Sequence, residues 1–295
     1  MNRATWAGLL AILFWSTTVA FSRALSEPLG ALTTGALIYT LGGLFGLIAA
    51  SRQPGRLRNL LRQTKPALIL CGSLFVAYML LLYLAIGLAY SRAQVLAIGL
   101  ANYLWPTLIM VFSLPLLGKR ARLWLIPGIL LALIGTGLAV LPEGGSGLPT
   151  LLQAESSLLP VGLAVLAAIA WALYSNLTRR WAADSESAAP LFLLVSGLAF
   201  WALRWLTGET STWSWSLAPA LLYMAIFPAW LGYQLWDIAM QRGDLPLVTA
   251  FSYFTPLLST IISLLVLQVQ PSSLLGLAAV LVTSGAVLSK LGIID

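Results

Sequence analysis

Ten apolar runs follow one another along the chain, separated by short polar stretches: 5–25, 30–50, 66–89, 93–117, 123–142, 158–178, 188–206, 217–239, 246–268 and 272–291. A helix needs about 20 apolar residues to cross the hydrocarbon core. The pattern therefore predicts an all-α polytopic membrane protein with ten transmembrane helices. Two runs carry a matching interruption. Asn102-Tyr103-Leu104-Trp105-Pro106-Thr107-Leu108 in the fourth and Ser252-Tyr253-Phe254-Thr255-Pro256-Leu257-Leu258 in the ninth share Tyr-x-x-Pro-x-Leu. A proline inside a helix removes a backbone bond and crowds the preceding turn, at about 3 kcal/mol. Two prolines at equivalent places predict broken helices, with Pro106 and Pro256 as the break and gating positions.

Other spacings recur in the same order. Trp15 and Arg23 in the first run are matched by Trp171 and Arg179 in the sixth, and Gly128 and Gly137 in the fifth by Gly276 and Gly285 in the tenth. The chain thus divides into a first five-helix repeat (1–142), a linker (143–157) and a second five-helix repeat (158–295). An odd number of spans per repeat makes the second enter the membrane from the opposite side, so the repeats are inverted. The linker opens with Gly144-Gly145-Ser146-Gly147, the composition of a flexible coil.

Charge orients the chain. Arg52, Arg56, Arg58, Arg62 and Lys65 follow the second run, Lys119, Arg120 and Arg122 the fourth, Arg179 and Arg180 the sixth, and Arg242 the eighth; Lys290 ends the tenth. The other side receives only Arg23, Arg92 and Arg204. The bias of Lys and Arg toward the cytoplasm puts both termini inside and the linker outside.

Composition narrows the chemistry. Only 8% of residues are charged and 60% are hydrophobic, against about 25% charged in soluble proteins. The net charge of +7 lies in short loops beside apolar runs, which fits a membrane surface and not nucleic acid. Cys71 is the one cysteine, so no internal disulfide forms, and there is no histidine. No Gly-Lys-Ser/Thr phosphate loop is present. No metal site, cofactor or catalytic residue is expected, and the chain does not read as an enzyme. The apolar stretch after Arg3 is long enough to span and lacks a small-x-small cleavage site, so it reads as a retained first helix.

The prolines free the carbonyls of Asn102 and Ser252, which either neighbouring hydroxyls and water repair or a ligand's ammonium group meets. Asn102 adds an amide with donors and acceptors. Trp6, Trp124, Trp181, Trp213 and Trp215 fit interfacial belts. Trp15, Tyr78, Trp171, Trp230 and Tyr233 lie near span centres, where a polar-tipped ring either lines a cavity or packs inside the bundle. Asp237, near the end of the eighth run, is the best-placed acid; it reads as a helix-end charge reaching the interface or pairing with Arg242. No Lys or Arg lies at a span centre, which disfavours phosphate-bearing substrates.

Ten spans in two inverted halves with Pro-centred fourth and ninth spans resemble the drug/metabolite transporter superfamily, of the EamA-domain type. Phe14-Trp15-Ser16-Thr17-Thr18-Val19, Asn102-Tyr103-Leu104-Trp105-Pro106 and Ser252-Tyr253-Phe254-Thr255-Pro256 are similar to its bacterial aromatic amino acid exporters. The resemblance implies a secondary transporter exporting Phe, Tyr, Trp and related small compounds by alternating access. It implies a central cavity, with Trp15, Tyr78, Asn102, Tyr103, Trp171, Trp230 and Tyr253 as candidate substrate-binding residues. With no ionisable group at a span centre, uncoupled facilitated transport is expected; a broad exporter of amphipathic metabolites or drugs, proton-coupled or not, is the alternative. The expected partners are the bilayer and a small-molecule substrate, not nucleic acid, and a monomer is compatible with this.

The orientation is testable by thiol labelling in intact cells and inverted vesicles. Cysteines placed at Ser146 and Ser289 should label from opposite sides of the membrane; labelling from one side would overturn the ten-span inverted arrangement.

Overall fold

The computed structural model describes residues 3–60, 64, 65, 67–140, 155–181, 187–242, 248, 252, 255–268 and 273–294. Most of the expected linker, and Tyr253 with Phe254 of the second motif, lie outside these residues. Seven of the described helices are long and apolar enough to cross a membrane: Arg3–Leu29, Ala31–Ser51, Leu68–Gly87, Gln94–Leu117, Leu158–Trp181, Ala189–Thr207 and Trp215–Met240. Three shorter apolar helices, Leu125–Gly135, Leu258–Leu267 and Leu274–Ser289, fall on the fifth, ninth and tenth apolar runs. This is an all-α multi-pass membrane protein. Among the described residues, strand structure is limited to a two-residue antiparallel pair, Arg120–Ala121 with Ile293–Ile294.

In the first half, α1 (Arg3–Trp15) and α2 (Thr18–Leu29) form the first span and α3 (Ala31–Ser51) the second. A short α4 (Arg56–Leu60) lies in the basic loop. Then come α5 (Gly72–Gly87), α6 (Arg92–Asn102), α7 (Trp105–Leu117) and α8 (Leu125–Val140). The second half supplies α9 (Glu155–Trp181), α10 (Ala189–Thr207), α11 (Ala218–Met224), α12 (Gly232–Arg242), α13 (Thr255–Leu267) and α14 (Ser273–Leu291).

The main helix pairs join one half to the other: α3 with α10, α8 with α14, α5 with α9, and α1 with α12. Two of these crossings need glycine. A Cβ on Gly43 would stand 2.6 Å from the Leu194 nitrogen, and one on Gly197 would stand 2.6 Å from the Thr40 nitrogen. A Cβ on Gly128 would meet the Ser289 nitrogen at 2.4 Å, and one on Gly285 the Ala132 nitrogen at 2.4 Å. Each crossing is reciprocal: the step from Thr40 to Gly43 equals that from Leu194 to Gly197, and the step from Gly128 to Ala132 equals that from Gly285 to Ser289. Small residues let membrane helices approach to backbone contact, where dispersion is the main attraction.

The start of α3 is fastened to the second half by polar groups. Glu209 accepts hydrogen bonds from the Leu32 nitrogen at 3.1 Å, the Thr33 nitrogen at 2.7 Å and the Thr33 hydroxyl at 2.9 Å. Arg204 Nε donates to the same hydroxyl at 2.8 Å. A carboxylate there satisfies N–H groups that no earlier turn can reach and opposes the helix dipole.

Ser289 is fully buried and donates to the Gly285 carbonyl, so the labelling position expected inside belongs at exposed Ser51. A Gly197→Leu exchange should force α3 and α10 apart and cost about 1–3 kcal/mol. The check is loss of monodisperse protein at lower temperature in detergent. Gly162→Leu, at a glycine with open space around it, should melt like the parent.

Candidate functional site

The site begins where helices stop. The fourth span breaks at Tyr103-Leu104, between α6 and α7. Pro106 is the second residue of α7, so the interior-proline cost expected from the sequence does not arise: a first-turn N–H has no intrahelical partner to lose. Pro256 is likewise the second residue of α13. The first span also breaks, without a proline. There the Ser16 hydroxyl donates to the Ile12 carbonyl at 2.9 Å and the Thr17 hydroxyl to the Phe14 carbonyl at 2.7 Å. Such local bonds compete with the regular ladder, and a new helix starts at Thr18. Between α11 and α12 the eighth span runs as a π-helical segment, Ala225–Leu231, with Pro228 inside it. The Pro228 carbonyl accepts a hydrogen bond from Trp15 Nε1 at 3.1 Å.

Aromatic rings fill the space between these breaks. Trp171 is the hub: rings of Trp15, Phe75, Tyr78, Tyr174, Tyr233 and Trp236 lie 5.0–6.3 Å from it. Their mutual angles are tilted or edge-on, as ring quadrupoles favour. Trp15, Tyr78, Asn102, Tyr103 and Trp171 border one cavity, together with Thr18, Trp105, Tyr233 and Thr255. Its free volume is about 20 Å³, room for about one water. Small-molecule pockets usually measure about 300–1,000 Å³, so this cavity is closed around its own side chains.

One of the seven candidate residues, Trp230, is not in that wall. Trp230 is half-buried on another face: it donates to Gln234 Oε1 at 2.9 Å and packs on Phe45 at 6.4 Å. It belongs to the π-helical segment, whose wider turn shifts the angular phase, and Tyr233 faces the cavity instead. Tyr253 lies outside the described residues. Thr18, Trp105, Tyr233 and Thr255 were not among the seven. A readable signal existed for all four: Tyr233 is a polar-tipped ring near a span centre, Thr18 ends a hydroxyl run inside an apolar stretch, and Trp105 and Thr255 each precede a motif proline.

Asp237 corrects a second expectation. It is packed inside the protein, 3% exposed, and the side chain of Arg242, its other expected partner, lies outside those described. It accepts from the Ser187 hydroxyl and, at 3.5 Å, from the Tyr174 hydroxyl. Ser187 lies just before α10. At the opposite end of the bundle, Glu27 accepts from Arg23 Nε at 3.2 Å and from Arg92 Nε at 2.7 Å. Arg23 also donates to the carbonyls of Ile86 and Ala89, and Arg92 to that of Leu267. One charged cluster therefore ties the first, third, fourth and ninth spans together on that side.

A bundle of apolar helices broken around a small aromatic cavity has the layout of a multi-pass membrane transporter. The chain matches the EamA-like transporter family over residues 2–141 and 158–291, and it belongs to that family. It is similar to the aromatic amino acid exporter YddG of Salmonella typhimurium, at 32% identity over 97% of this chain and 96% of that one. YddG of Escherichia coli is 31% identical over 97% and 96% of the two chains. YddG of Ancylobacter novellus is 34% identical over 98% of each. A solved crystal structure of a protein 30% identical in sequence superposes with a TM-score of 0.74, covering 98% of this chain and 96% of that chain.

The ring cluster should carry a large share of the stability. Trp171 is 2% exposed, and Trp171→Ala should cost about 3–5 kcal/mol, read as a lower unfolding temperature in detergent. Trp213→Ala, at a half-exposed ring in the loop before α11, should stay within about 0.5 kcal/mol of the parent.

Proposed function

We propose that this protein exports aromatic amino acids across the bacterial inner membrane, by alternating access between two inverted five-helix repeats with both termini in the cytoplasm. The observation that carries the reading is the aromatic cavity where broken helices meet. An aromatic side chain leaving water for such a wall gains about 25 cal/mol per Å². Polar helix ends in the same cavity suit a zwitterionic head. The names of the three YddG relatives support the substrate class. The reciprocal glycine crossings support the repeats, since a two-fold relation between the halves implies such mated contacts, although α8–α14 mates Gly128 with Gly285 and not with the Gly276 that the sequence spacing pairs with it. The family match in two stretches, one per half, points the same way.

Alternating access requires two states of similar energy. The closed cavity fits an intermediate between them, with the Glu27 cluster sealing one mouth and the Asp237 contacts lying toward the other. No charged side chain is among the described residues that border the cavity, which favours downhill export driven by the substrate's own accumulation. Buried Asp237 favours a second reading, proton-coupled export, because an intramembrane carboxylate held by neutral hydroxyls is a usual proton carrier.

Purified protein in liposomes should equilibrate labelled Phe without a pH gradient, and an imposed gradient should not concentrate it. Tyr78→Ala and Trp171→Phe should slow this exchange several-fold, while Trp213→Ala should not. Accumulation under a proton gradient, abolished by Asp237→Asn, would replace the uncoupled reading with the coupled one. Stronger competition by cationic amphiphiles than by Tyr and Trp would move the substrate class to amphipathic metabolites or drugs.

A further inference from the structure

We infer that the central cavity is a cradle for an amino-acid zwitterion, in which the Thr18 and Thr255 hydroxyls take the carboxylate and Asn102 Oδ1 takes the ammonium group. This rests on the transport reading above and names the contacts that select the substrate's head.

The first observation is the direction of the half-helices. Thr18, Trp105 and Thr255 are the first residues of α2, α7 and α13, helices of 12, 13 and 13 residues, and all three border the cavity. Helix starts present unpaired N–H groups and the positive end of the dipole, and discontinuous membrane helices direct such ends at anionic groups of substrates. Asn102 is the last residue of α6, where carbonyls and the negative end of the dipole gather. The cavity thus receives three positive helix ends and a negative one.

The second observation is independent of the backbone. Among the described residues, Thr18 Oγ1, Asn102 Oδ1 and Thr255 Oγ1 are buried without a hydrogen-bond partner. Asn102 is 3% exposed and Thr255 1% exposed. Native proteins leave few buried polar atoms unpaired, because each forfeits its hydration. Three such atoms, from three different spans, border one small cavity. Two are hydroxyls at helix starts, able to donate to a carboxylate. The third is an amide oxygen at a helix end, an acceptor for an ammonium group. With no charged side chain among the described residues of the wall, the ligand that fits carries both signs and no net charge.

The test uses the full chain in liposomes, with labelled Phe and two competitors, 3-phenylpropionate, which lacks the ammonium group, and phenethylamine, which lacks the carboxylate. Thr18→Val and Thr255→Val should each weaken Phe and 3-phenylpropionate roughly ten-fold, the loss of a hydrogen bond to a charged group, and leave phenethylamine unchanged. Asn102→Leu should weaken Phe and phenethylamine and spare 3-phenylpropionate. The two valine variants should melt at or above the parent's temperature, because an unpaired hydroxyl contributes no stability; Thr255→Ser should restore the parent's affinity. Equal losses for all three compounds, or lower stability with unchanged affinity, would overturn the assignment. If the parent moves no Phe, the transport reading falls separately. The cradle is then judged by thermal shift with leucine and glutamine against their analogues lacking either head group, and no preference for the zwitterion would overturn it.

Discussion

Hydrocarbon offers no partner to a backbone N–H or C=O, and most of this architecture answers that constraint. An unbroken helix satisfies its own ladder; a broken one must hide its loose ends inside the protein. The breaks at Ser16-Thr17 and Tyr103-Leu104, and the start of α13 at Thr255, border one interior space, away from the lipid-facing surface. Local repairs are visible: hydroxyls of Ser16 and Thr17 return to carbonyls one turn earlier, and Trp15 donates to the carbonyl of Pro228. Part of what the repairs leave over, at Thr18, Asn102 and Thr255, is polar, buried and borders this space, where the proposed substrate would find its partners.

The halves hold each other by two different kinds of contact. At the α3–α10 and α8–α14 crossings, glycine brings backbone against backbone, and even a methyl group would collide. Around the cavity, the α1–α12 and α5–α9 pairs meet through aromatic rings instead, with Trp171 touching six of them. Backbone crossings tolerate little sliding, because dispersion between close-packed atoms falls steeply with distance. Rings turn about two side-chain torsions and stay in contact over a range of angles. Under the proposed cycle the glycine crossings act as fixed axes, and the ring cluster parts to admit an aromatic side chain, exchanging ring–ring contacts for ring–substrate ones of similar strength.

The charged residues occupy the ends of this arrangement. Glu27 gathers Arg23 and Arg92 where several spans terminate, and each arginine also reaches backbone carbonyls at helix ends. Such bonds satisfy carbonyls that have no intrahelical donor, and they join spans that would have to separate if that mouth opened. Asp237 is different. It lies away from the cavity wall, behind Tyr174, and its hydroxyl partners leave it sensitive to whatever moves the connection before α10.

The sequence by itself determined the lipid environment, the apolar runs and the motif prolines, because these depend on local composition and on the length of a helix against the thickness of a bilayer. It also pointed to Trp15, Tyr78, Asn102, Tyr103 and Trp171, since a polar-tipped ring or amide in mid-membrane has few places to go but inward. Tertiary structure decided the rest. Trp230 and Tyr233 are both central in sequence, yet the π-helical segment turns Trp230 toward Phe45 and Tyr233 toward the cavity, and no helical period anticipates that shift. Asp237 reads as a helix-end charge until folding sets the hydroxyls of Ser187 and Tyr174 against it. Thr18 and Thr255 look like ordinary hydroxyls in apolar runs. They gain meaning from the space around them, because whether a buried polar atom has a partner depends on residues that are distant in sequence and adjacent only after folding.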